Sequence, residues 1–138
     1  MNQGLITVLY RSVAKLKQHS RAETEMIEQA RASNARLGIS GFLHREDDVF
    51  FQVFEGLADA ANALLGRILA DSRHTMIEVL ERRPILVRAF DGWTMGYSTK
   101  GDRSMFDWSV AKGIPLRPVD PADIRSFLLS QAQASEHS

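Results

Sequence analysis

The stretch VFFQVFEG, residues 49–56, places a single amide, Gln52, in an otherwise apolar run. Strand alternation puts Phe50, Gln52 and Phe54 on one face and Val49, Phe51 and Val53 on the other. If the Gln52 face is covered, its amide must satisfy two N–H donors and a carbonyl acceptor, and leaving one unmet costs about 1–3 kcal/mol. Tyr10 ends the strand-like run LITVLY on the same face as Ile6 and Val8 and carries a hydroxyl that both donates and accepts. Asn34, beside Ser33, could read the carbonyl and N–H edge of a heterocycle. Arg73 and His74, in the DSRH that closes a helical segment, could hold a phosphate. Trp93 and Met95 project together after a turn.

Each of these groups also has a plain structural reading. A Tyr–Gln pair fills a core well. Asparagine is common near helix ends, where it caps. Cations at a helix C-terminus are favourable without any ligand, and an aromatic–thioether pair is ordinary packing. Taken singly, the structural readings are the stronger ones.

Other chemistry is bounded by composition. The chain has 138 residues, no cysteine, and 17 Lys plus Arg against 17 Asp plus Glu. Thiolate chemistry, disulfides and cysteine-based metal sites are excluded. Zero net charge gives no electrostatic case for nucleic acid or an anionic membrane as partner. Arg82, Arg83 and Arg88 lie among acids and lack the exposed aromatic pair of an RNA-binding sheet. His19, His44, His74 and His137 share no metal-ligand spacing. No HExxH, GxSxG, P-loop or GxGxxG pattern occurs. The apolar piece near the N-terminus is too short for a signal or a membrane span, so the expected location is the cytoplasm.

The elements that must position these residues are legible from periodicity. LITVLY reads as a central strand covered on both faces. Ser20 and Glu23 have capping-box spacing, the stripe Met26, Ile27, Ala30 follows, and Gly38 is a C-cap candidate. ISGFLHR and VFFQVFE predict a hairpin across EDD. LADAANALLGRILAD is a second helix, with Ala60, Leu64 and Ile68 in line and a costly interior Gly66. MIEVLER, with Pro84 unsuited to a central ladder, comes next. WTMGY predicts a last strand with Trp93, Met95 and Tyr97 on one face. After the proline-rich PLRPVDP, Ile124, Phe127 and Leu128 predict a tail helix that must dock, and the terminal SEHS is expected to fray. The order βαββαββ predicts an α+β, ferredoxin-like sheet with two helices on one face and a C-terminal helical tail. That fold hosts sensors, small hydrolases and RNA-binding modules alike.

Five linked motifs resemble the BLUF family of blue-light receptors, which bind flavin non-covalently. They are YRS after the first strand, NARLGISG, FFQVFEG, DSRH and RAFDGWTMG, spread in order over about residues 4–98. The resemblance implies FAD as cofactor, with FMN or riboflavin as alternatives, its ring clasped between the two helices. It gives Tyr10 the role of electron and proton donor and Gln52 that of the switching amide. It assigns Asn34 to the ring's carbonyl and N3–H edge and puts Ser12 behind the tyrosine. Arg73 and His74 would border the outer edge or side chain of the flavin. Phe50, Ile39, Leu43 and Ile27 would wall the pocket, and Trp93 or Met95 would lie next to Gln52 and relay the signal. Ser33 departs from the Asn or His of many members, and HREDDVF replaces the usual aromatic and glycine turn.

The same resemblance implies a flavin domain over 1–98 and a helical extension over 99–138, as in the short stand-alone receptors without an enzymatic effector. Signalling would then run through altered protein–protein contacts, with a homo-oligomer and a downstream protein as expected partners. A small ferredoxin-like hydrolase or an RNA-binding module is the competing expectation.

Overall fold

The computed structural model describes residues 4–113 and 120–135. The PLRPVDP segment up to residue 119 and the last three residues of the chain lie outside the described residues, including the end expected to fray. The elements are β1 (Leu5–Ala14), α1 (Arg21–Leu37), β2 (Ser40–Glu46), β3 (Val49–Leu57), α2 (Ala58–Ala70), β4 (His74–Ile85), β5 (Gly96–Thr99), α3 (Met105–Lys112) and α4 (Pro121–Ser135). The five strands form one mixed sheet in the order β4-β1-β3-β2-β5. All neighbours are antiparallel except β2 and β5. This is the ferredoxin-like arrangement expected from the element order, with the tail helix present.

The apolar β1 lies inside the sheet between β4 and β3. β4 is an edge strand, which accommodates Pro84 near its end. The β2–β3 connection is a tight turn in which Asp47 takes a left-handed φ of 54°. Helix α1 starts where its sequence signal lies: Ser20 Oγ accepts from Glu23 N at 3.2 Å. The reciprocal bond shifts by one residue, Glu23 Oε1 accepting from His19 N at 2.9 Å. Gly38 ends the helix at φ 67° and donates its N–H to the Asn34 carbonyl.

Strand alternation builds two cores. On one face Val8, Tyr10, Phe54 and Ile39 pack with Ala61 and Leu65 of α2, while Leu43, Phe50 and Met95 pack with Ile27 of α1. On the other, Leu9, Phe42 and Val53 pack with Phe90, Trp108 of α3 and Ile124, Phe127 and Leu128 of α4. The tail helix thus docks through the stripe read from its spacing. Among the described residues one ion pair is wholly inside: Arg45, 1% exposed, donates Nη1 to Glu23 Oε2 at 2.6 Å. Losing either member would leave a charge stranded in the interior.

One expectation fails. Trp93, Met95 and Tyr97 do not share a strand face, because β5 begins only at Gly96 and residues 91–95 are irregular. Trp93 turns to the α4 side, its ring 5.8 Å from that of Phe42. Met95 turns to the α1 side. The register is held by Gly96, where a Cβ would stand 2.2 Å from the Phe42 ring.

Two glycines carry opposite predictions. A Cβ on Gly41 would lie 2.2 Å from Val53 O and 2.9 Å from Phe54 Cα, both backbone atoms that cannot yield cheaply. Gly41→Ala should therefore destabilise the protein by about 1–3 kcal/mol in a urea melt. A Cβ on Gly66 meets nothing within 4 Å, so Gly66→Ala should raise stability by about 0.5–1 kcal/mol in the same assay.

Candidate functional site

The β1–β3 register pairs Tyr10 directly with Gln52, and both side chains point to the α1/α2 face. The Tyr10 hydroxyl donates to Gln52 Oε1. The other end of the amide, Nε2, donates to Met95 Sδ at 3.5 Å, a weak acceptor. The buried glutamine of the opening stretch is therefore satisfied at its oxygen by a strong partner and at its nitrogen by a soft one.

These three residues form part of the floor of a cavity of about 230 Å3. Leu43 and Phe50 complete the floor. The α1 wall is Met26, Ile27, Ala30, Ser33 and Asn34, and the α2 wall is Leu64, Arg67 and Ile68. Asp71, Arg73, His74 and Gln29 also border it. Helical spacing explains both walls: positions 26, 27, 30, 33 and 34 form one stripe of α1, and 64, 67 and 68 one stripe of α2. Met26, Gln29, Ala30, Leu64, Arg67, Ile68 and Asp71 were not singled out as site residues. For Met26, Ala30, Leu64 and Ile68 the signal was the apolar stripe itself, whose period is also that of core packing, whereas polar Gln29, Arg67 and Asp71 gave no such signal.

The remaining residues of interest divide clearly. Asn34 is buried and donates Nδ2 to Thr94 O at 2.7 Å. The bond uses one N–H of the amide. Ser12 does not border the cavity: its hydroxyl lies 2.7 Å from His74 Nδ1, while His74 Nε2 lies 2.8 Å from the Ile68 carbonyl. His74 thus ties β1 to the end of α2. Arg73 is held by Asp71, with Nε to Oδ1 at 3.0 Å and Nη2 to Oδ2 at 2.7 Å, and reaches Gln29 Oε1 from Nη1 at 3.2 Å. The Arg73 hydrogen bond holds the Asp71 carboxyl below its ordinary range. Ile39 is also absent from the cavity and packs behind it, over Gly56. Trp93 is on the far side of the sheet, so Met95 is the neighbour of Gln52.

The arrangement suits a flat heteroaromatic ring with a carbonyl and N–H edge. Two amides and a phenol, groups able to donate and accept, project from one part of the lining. Ile27, Ala30, Leu64, Ile68 and Phe50 supply apolar walls that exclude water and strengthen the polar contacts. An isoalloxazine ring fits that donor and acceptor set.

Burial pushes the pKa of the Tyr10 phenol well above its ordinary value, and the negative charge of Asp71 adds to the shift. Tyr97 is raised likewise, first by burial and then by Glu23. These are the chain's two tyrosines. Above about pH 10 the unfolded chain loses phenolic protons that the fold retains, so stability should fall as pH rises past that point. An alkaline titration should show no phenolate ultraviolet band near pH 10 and then a band that appears together with unfolding. A band at pH 10 in the folded protein would contradict the burial.

The sequence model of the BLUF family, "Sensors of blue-light using FAD", matches residues 5–96. Photoactivated adenylate cyclase subunit beta of Euglena gracilis is 38% identical over 71 residues, which is 51% of this chain and 8% of that protein. The chain therefore spans less than a tenth of that relative. Among solved structures, the dark state of BlrB, a BLUF protein, superposes with a TM-score of 0.82 at 27% identity, covering 97% of this chain and 99% of that one. Klebsiella pneumoniae BlrP1 with FMN and cyclic diGMP gives a TM-score of 0.62 at 32% identity, over 67% of this chain and 25% of that one. The hydrolase and RNA-binding alternatives find no support. A buried phenol–amide pair beneath a helix-walled cavity and the family match over the same residues agree: the chain belongs to the BLUF family of flavin-binding blue-light sensors.

Proposed function

We propose that residues 1–98 form the light-sensing unit and that Tyr10 and Gln52 are its photoactive pair, with residues 99–138 as a helical extension. The observation that carries this reading is the Tyr10–Gln52–Met95 chain of contacts in the cavity floor. A bound flavin supplies blue-light absorption and, once excited, the pull on an electron of a neighbouring phenol. On the protein side, loss of an electron makes the Tyr10 Oη proton strongly acidic, and Gln52 Oε1 is the acceptor already in place. In the dark that proton stays on the phenol, whose pKa burial lifts still further above its ordinary value. When the phenol is restored, the amide has a second arrangement open to it, reached by rotation or tautomerisation, because its Nε2 is held only by a thioether. Asn34 would present its carbonyl and second N–H to the ring edge. Ile27, Leu43 and Phe50 would wall the ring, and Ser33 would border it from α1. Arg73 and His74 would stand at the outer edge, with Ser12 orienting His74 and Ile39 backing the wall.

Output is proposed to leave through Met95 and β5, with Trp93 reading the same segment from the α4 side. The chain itself would act without turnover, changing contacts with a downstream protein and within a homo-oligomer in the cytoplasm. Among the described residues no helix is long and apolar enough to cross a membrane. FAD is the cofactor of the family, and FMN or riboflavin would serve where the site grips mainly the ring.

The test is an absorption spectrum of the flavin-loaded protein before and after blue light. The native chain should shift reversibly to the red. Gln52→Leu should keep the flavin and lose the shift, and an intact shift would remove the amide from its role. Tyr10→Phe should keep the flavin and lose the normal photocycle; an unaltered photocycle would rule out the phenol as donor.

A further inference from the structure

Three successive carbonyls ahead of β5 are each held by a different donor. Gly41 N of β2 donates to Trp93 O at 2.8 Å. Asn34 Nδ2 donates to Thr94 O at 2.7 Å. Arg31 Nε donates to Met95 O at 2.9 Å. Asn34 and Arg31 are three residues apart on α1, so they project from the same side of the helix and grip adjacent peptides. This is the segment where the backbone bends and sends Trp93 and Met95 to opposite faces of the sheet.

The Met95 thioether is a weak acceptor for Gln52 Nε2, and Met is a flexible side chain. That contact alone does little to choose one placement of residue 95 over another. The backbone bonds are stronger, and a bond from a guanidinium to a carbonyl is charge-assisted. Arg31 is an exposed residue, and its bond to the Met95 carbonyl is partly buried. Its backbone-directed bond crosses from α1 to the loop before β5, 64 residues away in sequence.

We infer that Arg31 is a positioning residue for the photoswitch: it fixes the Met95 peptide so that the thioether stays against Gln52, favouring the dark arrangement over the rearranged one. This inference rests on the reading of Gln52 as the switch. Arg31 touches neither the phenol nor the amide and acts only through residue 95. Because its side chain is exposed, removing it should leave the fold and the flavin pocket in place.

The experiment compares the native chain with Arg31→Met, an unbranched side chain that reaches about as far as the arginine Nε but has no donor, and Arg31→Lys, which restores one. Two readouts are taken on flavin-loaded protein: the dark-recovery rate of the red-shifted state and the methyl NMR signal of Met95, assigned with Met95→Leu. Arg31→Met should slow recovery about fivefold and move the dark Met95 methyl signal, with the melting temperature and flavin affinity kept. Arg31→Lys should return both readouts most of the way. An unchanged recovery rate together with an unmoved Met95 signal in Arg31→Met overturns the inference, as does a change that Arg31→Lys fails to reverse. If the native chain showed no red shift, the switch reading itself would fail. The dark Met95 signal would still decide whether Arg31 holds that residue.

Discussion

The site depends above all on the register between β1 and β3. Pairing Leu5 with Leu57 sets Tyr10 opposite Gln52, near the middle of the two strands. A slip of one residue would turn every side chain of β3 to the other face. Gln52 would then point into the α4 core and Phe51 and Val53 into the cavity. That slip is opposed on both sides at once. Phe54 and Val8 must meet α2, and Leu9 and Val53 must meet α4. The turn at Asp47 and the close approach of Gly41 to Val53 O fix β2 to the same register. The phenol–amide contact is thus imposed by packing on two faces of one sheet and costs the chain little extra specification.

The same two-sided sheet makes β5 a bridge. At its start the chain touches the cavity through Met95. Three residues further on, Ser98 Oγ accepts from Gln131 Nε2 of α4 at 3.0 Å and lies 2.8 Å from His44 Nδ1. His44 is wholly buried, and that burial lowers its basicity against the opposing effect of its hydrogen bond to the Glu46 carboxylate. Glu46 in turn accepts from Ser104 Oγ at 3.0 Å and Met105 N at 3.1 Å at the start of α3. One short parallel strand therefore joins the cavity floor to both C-terminal helices. Any shift of residue 95 along β2 would have to be accommodated by Phe42 over Gly96 and by this polar cluster.

The fold was largely legible because hydrophobic spacing and end signals agree along the chain. Ser20 and Gly38 bracket α1, apolar β1 lies inside the sheet, and the α4 stripe of Ile124, Phe127 and Leu128 docks as spaced. Gly66 is the exception in the helices, an interior glycine with open space around it and no packing reason for its presence. The candidate site was legible in part. Alternation placed Gln52 with Phe50 and Tyr10 with Val8, but the walls of the cavity looked like core stripes. A helix stripe facing a ligand and one facing another side chain have the same period, so spacing could not separate them. The parity of Trp93, Met95 and Tyr97 misled for a definite reason. Alternation holds only within a regular strand, and β5 starts after Met95.

By itself the sequence determined which residues could lie on which face, where helices begin and end, and which side chains could do acid, base or hydrogen-bond chemistry. These are consequences of local stereochemistry and of period. Only the tertiary structure decided that Met95 rather than Trp93 meets Gln52, that Arg73 reaches Gln29 of α1, that Ser12 and Ile39 stand behind the cavity, and that Asn34 and Arg31 hold the peptides before β5. Each of those outcomes joins residues far apart in the chain, and each depends on where a bend or a helix end lies in space. Periodicity carries no information about that, because it describes direction around one element and not the distance to another.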